Sequence, residues 1–317
     1  MDIWDILNKE HRTDVTTNEG ILPMKNQAKV LKLNDEEGVL EGNLMEIPFI
    51  NYNKKSDIKI IEYTWVDSKD YKRGIEVRGS AQHGLPTAFE FDVICAFFRL
   101  YFKKKKTYCD DSKECVNHIV NDERRYVEFY VSELAEEMGY ADINGKILEN
   151  IKNSIECLVE TTLYSRYDGG LLDVKTNKYK RDCRETAFHI LNGFELITKN
   201  NSNHAKYTIE IDKFFFESVT HNYFNYYSVP LFQEIKNSVA KKIFFILLKW
   251  KSNRDSIRLY NDTLFKRIPL LEDVPRYRNN EKLKRAYESL KDVGFLKDYE
   301  MNKEYTDFIF ANNKQLT

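Results

Sequence analysis

Within ten positions the chain sets Arg276, Arg278, Asn279, Asn280, Lys282, Lys284 and Arg285. Arginine suits the acceptor edge of guanine and asparagine suits adenine, while lysine and arginine neutralise phosphate. The chemistry on offer is recognition of a duplex nucleic acid, not the making or breaking of bonds. The element that must position these side chains is legible as well. Leu283, Ala286, Tyr287, Leu290 and Val293 recur at spacings of three and four, which predicts a helix within 276–296 with one apolar face. Asn279 and Asn280 are candidate N-caps, and Gly294 is a candidate stop. Arg278, Lys282 and Arg285 then lie on the outward side of the first two turns, with Lys284 on the flank. Further along, Glu288 and Asp292 turn that side acidic. The N-terminal half therefore presents cations and the positive end of the helix dipole together, and a phosphate backbone is the natural partner. Alone, the stretch also describes an ordinary amphipathic surface helix; its neighbours in the sequence distinguish it.

Composition narrows the classes. The chain has 317 residues and a net charge of -1, with 42% hydrophobic residues, enough for two cored domains. The near-zero charge hides an asymmetry: 236–297 holds 16 Lys and Arg against 7 Asp and Glu, whereas 1–92 holds 12 against 17. A basic C-terminal third suggests a nucleic-acid surface at that end. No apolar run is long enough to span a membrane, and the polar first ten residues lack a signal-peptide core, so a cytoplasmic protein is expected. Catalysis is disfavoured by what is missing. The six histidines, His11, His83, His118, His189, His204 and His221, lie far apart, so no His-x-His pair stands ready to hold a metal beside a tyrosine. Gly139 to Lys146 has the wrong spacing for a phosphate-binding loop, and Ile147 follows it. Cys109, Cys115 and His118 are not spaced as structural zinc ligands are. No enzyme activity, metal or cofactor is expected.

Taken in order, 1–44 shows no clear period and reads as an arm. Three β-rich runs follow, MEIPFINYN, IKIIEYTWVDS and GIEVRGS, which predict antiparallel strands. An apolar helix is expected from Pro86 to the lysines at 103–106, whose charges suit its C-terminal end. A short strand at 124–129, a helix over 133–139 capped by Ser132, a turn, and a second helix over 146–159 come next. Strands are expected at 161–167, 187–197 and 205–211, with a basic loop between the first two. Helix, strand, helix, turn, helix and ribbon is the order of a winged helix-turn-helix. The stretch from 212 to 237, dense in Phe and Tyr, reads as a connecting helix and linker that packs the halves together. From 238 the order repeats: apolar helix, strand, a helix capped by Asn261 or Asp262, turn, the helix described first, and a ribbon turning at Asn302 and Lys303.

The expected fold is therefore α+β: two tandem winged helix-turn-helix domains with a small N-terminal antiparallel strand region. The divisions are an arm at 1–44, a first domain at 45–211, a connection at 212–237 and a second domain at 238–317. Candidate DNA-binding residues of the first domain are Asn144, Lys146, Asn150, Lys152 and Asn153 on its last helix, with Lys178, Lys180, Arg181 and Arg184 on its wing. The second domain adds Lys303 to the cluster that begins at Arg276.

Three stretches carry a resemblance to a known family. GLPTAFEFDVICAFFRLYF (84–102), FNYYSVPLFQEIKNSVAKKIFFILLKW (224–250) and LKRAYESLKDVGFLKDYE (283–300) resemble segments of plasmid replication initiator (Rep) proteins of the "replication initiator protein A" type. The resemblance covers most of 46–310 and leaves the arm out. It implies binding to iteron-like repeats in double-stranded DNA, help in opening an AT-rich segment, and recruitment of the host initiator and helicase. It also implies homodimers through the first module. A transcriptional regulator built from the same modules is the alternative, and a protein-binding scaffold is a third reading. Arg285→Glu is expected to weaken duplex binding by about 10- to 100-fold, read by fluorescence anisotropy; a scaffold would bind no duplex for the substitution to weaken.

Overall fold

The computed structural model of the chain describes residues 33–34, 36–52, 58–67, 70–107, 125–180, 187–198, 205–268, 270 and 275–311. The described residues open with β1 (Glu37–Glu41), α1 (Gly42–Glu46), β2 (Ile60–Val66) and β3 (Lys72–Arg78). The N-terminal half continues through α2 (Ala88–Thr107), β4 (Tyr126–Tyr130), α3 (Val131–Glu137) and α4 (Gly145–Glu160). It then runs through β5 (Thr162–Tyr167), β6 (Leu172–Asp173), β7 (Lys178–Tyr179), β8 (Ala187–His189), β9 (Leu191–Thr198) and β10 (Ala205–Ile211). A connection follows: α5 (Lys213–Thr220), β11 (Phe224–Ser228) and α6 (Val229–Glu234). The C-terminal half holds α7 (Ser238–Lys251), β12 (Ser256–Tyr260), α8 (Asn261–Arg267), α9 (Arg276–Asp292), β13 (Leu296–Met301) and β14 (Tyr305–Phe310). Helix and sheet are mixed throughout the described residues, the α+β class.

The halves share one topology. In each, a long apolar helix is followed by a strand, two helices and a hairpin. The strand pairs antiparallel with the last strand of the hairpin, so the sheets read β4-β10-β9 and β12-β14-β13. One continuous apolar core joins them. At the junction the Phe91 ring of α2 meets the Phe245 ring of α7 edge-on at 5.4 Å, and Tyr227 of β11 meets Phe245 at 5.0 Å. The aromatic connection is thus packing, as its density of Phe suggests.

The structure corrects several expectations. The reading of an arm through residue 44 fails from residue 37. There β1 pairs with β11, and Gly38 lies so close to the Tyr227 ring that a side chain would have no room. The run MEIPFINYN forms no strand, because α1 occupies its start. The connection contains a strand as well as helices. The segment at 187–197 is two strands in different sheets, β8 on β5 and β9 on β10. Helix α3 begins one residue before Ser132, and the Glu133 carboxylate accepts the Tyr130 N–H at 2.7 Å. Neither Asn279 nor Asn280 caps α9, which starts at Arg276 after Pro275. Nor does the Asn261 or Asp262 side chain cap α8; Asn261 instead donates to the Asn302 carbonyl at 2.9 Å. The strand expected before the basic loop does not pair into the ribbon of the first half. Strand β5 joins the inserted sheet β2-β3-β5-β8, because its Leu163 and Ser165 must be buried opposite Val77 and Ile75. Asn43 then holds the β6–β7 hairpin against the core: it accepts the Leu172 N–H at 2.9 Å and donates to the Leu172 carbonyl at 3.2 Å. The hairpin that pairs with β4 is β9–β10.

Buried charge ties the N-terminal segment to the C-terminal half. Glu46 is 6% exposed. Its carboxylate lies 2.8 Å from Lys249 Nζ and 3.0 Å from Arg267 Nη1, and it accepts the Trp250 indole N–H at 3.0 Å. Lys249 also donates to the Gly42 carbonyl and the Tyr223 hydroxyl, both at 2.8 Å, and Lys242 donates to the Leu44 carbonyl at 2.9 Å. Burial opposes ionisation of Glu46, yet the charges of Lys249 and Arg267 outweigh it and bring the carboxyl down to about 2. Glu41, equally enclosed, is pushed by burial up to about 7, against hydrogen bonds from the Leu44 N–H and Asn43.

Two outcomes follow for stability. Glu46→Ala strands two buried cations and should cost about 3–5 kcal/mol, seen as a lower urea midpoint. The folded chain holds a proton on Glu41 between the ordinary glutamate value of 4.5 and about 7, where the unfolded chain has lost it. Stability from this group therefore falls as pH rises through that window, by at most on the order of 3 kcal/mol. Comparing urea midpoints at pH 5 and pH 8 should show the fall, and Glu41→Met should flatten it.

Candidate nucleic-acid interface

The C-terminal unit builds the clearest surface. Leu283, Ala286, Tyr287 and Leu290 are buried along one side of α9, as the spacing requires. Tyr287 packs edge-on against Tyr299 and Phe308, each at 5.0 Å. Burying that face leaves Arg276, Tyr277, Arg278, Lys282, Lys284 and Arg285 exposed on the other. No side chain caps the N-terminus of α9, so its positive end adds to the same surface. Gly294, with φ of 74°, ends the helix in the left-handed conformation that a glycine adopts without strain.

The hairpin β13–β14 is locked beside α9. Tyr299 donates to Glu288 at 2.8 Å, and Lys291 pairs with Asp298 at 2.9 Å. That contact, a hydrogen bond first of all, holds the Asp298 carboxyl below its usual range and Lys291 above it. From the neighbouring β12, Arg258 grips Asp307 of β14 with two hydrogen bonds, 2.7 and 2.8 Å, and lies 3.9 Å above the Tyr305 ring. Asn302 Oδ1 accepts the Glu304 and Tyr305 N–H groups, which forms the expected turn and leaves Lys303 exposed at its tip.

The predicted residues fall into different environments. Asn279 is 8% exposed and Asn280 half-buried, so both sit below the outer surface formed by the arginines and lysines. Lys284 lies 3.7 Å from Glu281, and Arg276 is 2.6 Å from Asp262. In the N-terminal unit, Asn144 caps α4 by accepting the Ile147 N–H at 3.0 Å. Lys146, Asn150 and Asn153 are exposed and Lys152 is half-buried, with Glu149 exposed among them. That face is mixed in charge, unlike the start of α9. Asn150 and Asn153 also line a pocket of about 190 Å³ with His83, Phe89 and Glu90. On the inserted hairpin Lys178 is exposed, while Lys180 is held by Asp173 at 2.7 Å. Arg181 and Arg184 lie outside the described residues, as do Cys109, Cys115 and His118. Among the described residues, no group of three or more His, Cys, Asp or Glu could hold a metal ion. No helix among them is long and apolar enough to cross a membrane.

Sequence reasoning missed two residues of this surface. Tyr277, 62% exposed, stands between two arginines, and an aromatic on the polar side of an amphipathic helix was the available signal. Asp262 carried no such signal, because only the tertiary structure brings it, on α8, to Arg276 on α9. The count of C-terminal cations also overstated the surface. Lys242, Lys249 and Lys251 are buried, and the side chain of Arg267 is 11% exposed.

Fold and surface together define a class: a mixed helix-and-sheet chain that uses one topology twice and gathers exposed cations on the last helix of the second unit. Among protein families, the model described as Replication initiator protein A matches residues 41–268. That is well over half of the chain, and the chain belongs to the Replication initiator protein A family. The match ends before α9. Among solved structures, the chain is similar to a crystal structure of domain 2 and domain 3 of RctB, with a TM-score of 0.55 and 14% identity. The alignment covers 86% of this chain and 98% of that one, and at this identity the likeness is one of fold. A second structure of RctB domains 2-3 gives a TM-score of 0.47 at 13% identity, covering 85% and 96%. The Pi initiator protein in complex with iteron DNA gives 0.41 at 11%, covering 60% and 83%. No curated protein matches.

The environments make a direct contrast. Lys282→Ala should weaken duplex binding about equally for all sequences and lower the slope of log K against log salt by about one. Lys180→Ala, which removes a cation already held by Asp173, should leave that slope unchanged. Anisotropy titrations over a series of salt concentrations read both.

Proposed function

We propose that the chain is a plasmid replication initiator that binds repeated duplex DNA at an origin through two tandem winged helix-turn-helix domains. In this reading the domains are 45–211 and 238–317, joined by 212–237, with the segment from residue 37 packed between them. Helices α4 and α9 enter successive major grooves, and the hairpins β9–β10 and β13–β14 are the wings. The observation that carries the reading is the repeated strand order with exposed Arg276, Arg278, Lys282 and Arg285 on the second α9-type position, in a chain of an initiator family.

Affinity comes from phosphate neutralisation and counterion release, and sequence preference from a few side chains at the start of each helix. Arg276, Arg278 and Arg285 are the C-terminal readers, with Lys303 on the backbone. Asn150 and Asn153 are the N-terminal ones, with Lys146 as a phosphate contact. Opening of AT-rich DNA draws on binding energy and supercoiling rather than on a catalytic step of the chain itself. Recruitment of the host initiator and helicase, homodimer formation and a cytoplasmic location belong to the same proposal.

Footprinting of the purified chain on the replicon that encodes it, at two salt concentrations, tests the reading. Protection at evenly spaced direct repeats that weakens at higher salt is the expected result. Protection confined to a promoter would make the chain a transcriptional regulator. Absence of protection at either salt would leave a protein-binding scaffold.

A further inference from the structure

Arg276 opens α9 with its guanidinium restrained on two sides. Its Nη2 donates to Asp262 Oδ1 at 2.6 Å, and its Cζ lies over the Phe265 ring, 5.4 Å from the centroid. Both partners belong to α8, so the contact joins two helices. The side chains of Arg276 and Asp262 are 57% and 67% exposed. An exposed pair of this kind contributes little to stability and is screened by salt. For binding to DNA a carboxylate on this surface is a disadvantage, because it repels phosphate. Asp262 therefore adds little to the fold and opposes indiscriminate affinity, while it fixes the one arginine that leads the helix.

We infer that Asp262 is a specificity-determining residue: it positions Arg276 to meet the acceptor edge of a guanine, and it discourages Arg276 from settling on phosphate. The inference rests on α9 being the base-reading helix. The guanidinium has five N–H donors in a fixed fork. Asp262 takes one of them, which leaves donors for O6 and N7 of a guanine, the acceptors that an arginine pairs with in the major groove. The Phe265 ring, 5.4 Å from Cζ, gives the fork a second contact. A long side chain held in this way loses less rotamer freedom on reaching the base than a mobile one. Docking on DNA removes water from the pair, so its attraction strengthens when the orientation matters.

The test uses the full chain, a duplex it selects from a randomised pool, and a scrambled duplex of the same composition. In Asp262→Ala the ratio of selected to scrambled affinity should fall by about tenfold, with the loss confined to one base pair. Affinity for the scrambled duplex should rise a few-fold at the same time. The change should vanish in an Arg276→Ala background, where there is no guanidinium left to position. Asp262→Asn, which keeps an acceptor oxygen without the charge, should retain part of the discrimination and still raise scrambled binding. Both side chains are exposed, and matching thermal melts check that each variant is folded. An unchanged ratio in Asp262→Ala, or an equal loss with and without Arg276, overturns the inference and leaves the wider function standing. Failure of the wild-type chain to select any duplex overturns both.

Discussion

Enclosed charge is the constraint on which the arrangement of the two halves depends. A carboxylate taken out of water needs partners at hydrogen-bonding distance. Glu46 finds them in Lys249, Arg267 and Trp250, from the last turn of α7 and the end of α8. The backbone carbonyls of Gly42 and Leu44 receive Lys249 and Lys242 in the same way. Apolar packing alone tolerates a shift between elements; a two-cation contact to one carboxylate tolerates very little. Since β1 of the same segment pairs with β11 and packs on α2, the ten residues from Glu37 to Glu46 hold both units at once. Helix α9 packs on α7, the helix that carries Lys249, so the outer cation surface rests on an element held by that buried carboxylate.

The two units share a topology and differ in finish. In the C-terminal one, the hairpin is clamped to α9 by Tyr299 on Glu288 and Lys291 on Asp298, and stiffened by Arg258 on Asp307. These contacts lie beside an outer face rich in cations. In the N-terminal one, α4 offers Lys146 and asparagines beside Glu149. The chain after α4 runs directly into the inserted sheet, with Thr161 extended where the other unit has a left-handed glycine. One framework thus serves two surfaces: a cationic one suited to tight phosphate contact, and a more neutral one carrying an added sheet.

The sequence by itself determined the elements whose signal is local. The periodicity of Leu283, Ala286, Tyr287 and Leu290, the stop at Gly294, the turn at Asn302 and the apolar helices all reappear, because each depends on residues within a turn or two. The repeated order of elements was legible for the same reason, and with it the exposure of Arg278, Lys282 and Arg285. Tertiary structure decided everything that turned on a distant partner. Strand β5 left the expected ribbon because β3 buries its apolar side. Residues 37–46 became core because Lys249 and Arg267 lay ready more than two hundred residues along the chain. Net charge misled at this point, since a count of lysines cannot tell one that faces solvent from one that neutralises a buried glutamate. Asp262 beside Arg276 is the smallest instance. No spacing rule pairs residues on two separate helices, and only the folded chain brings them to 2.6 Å.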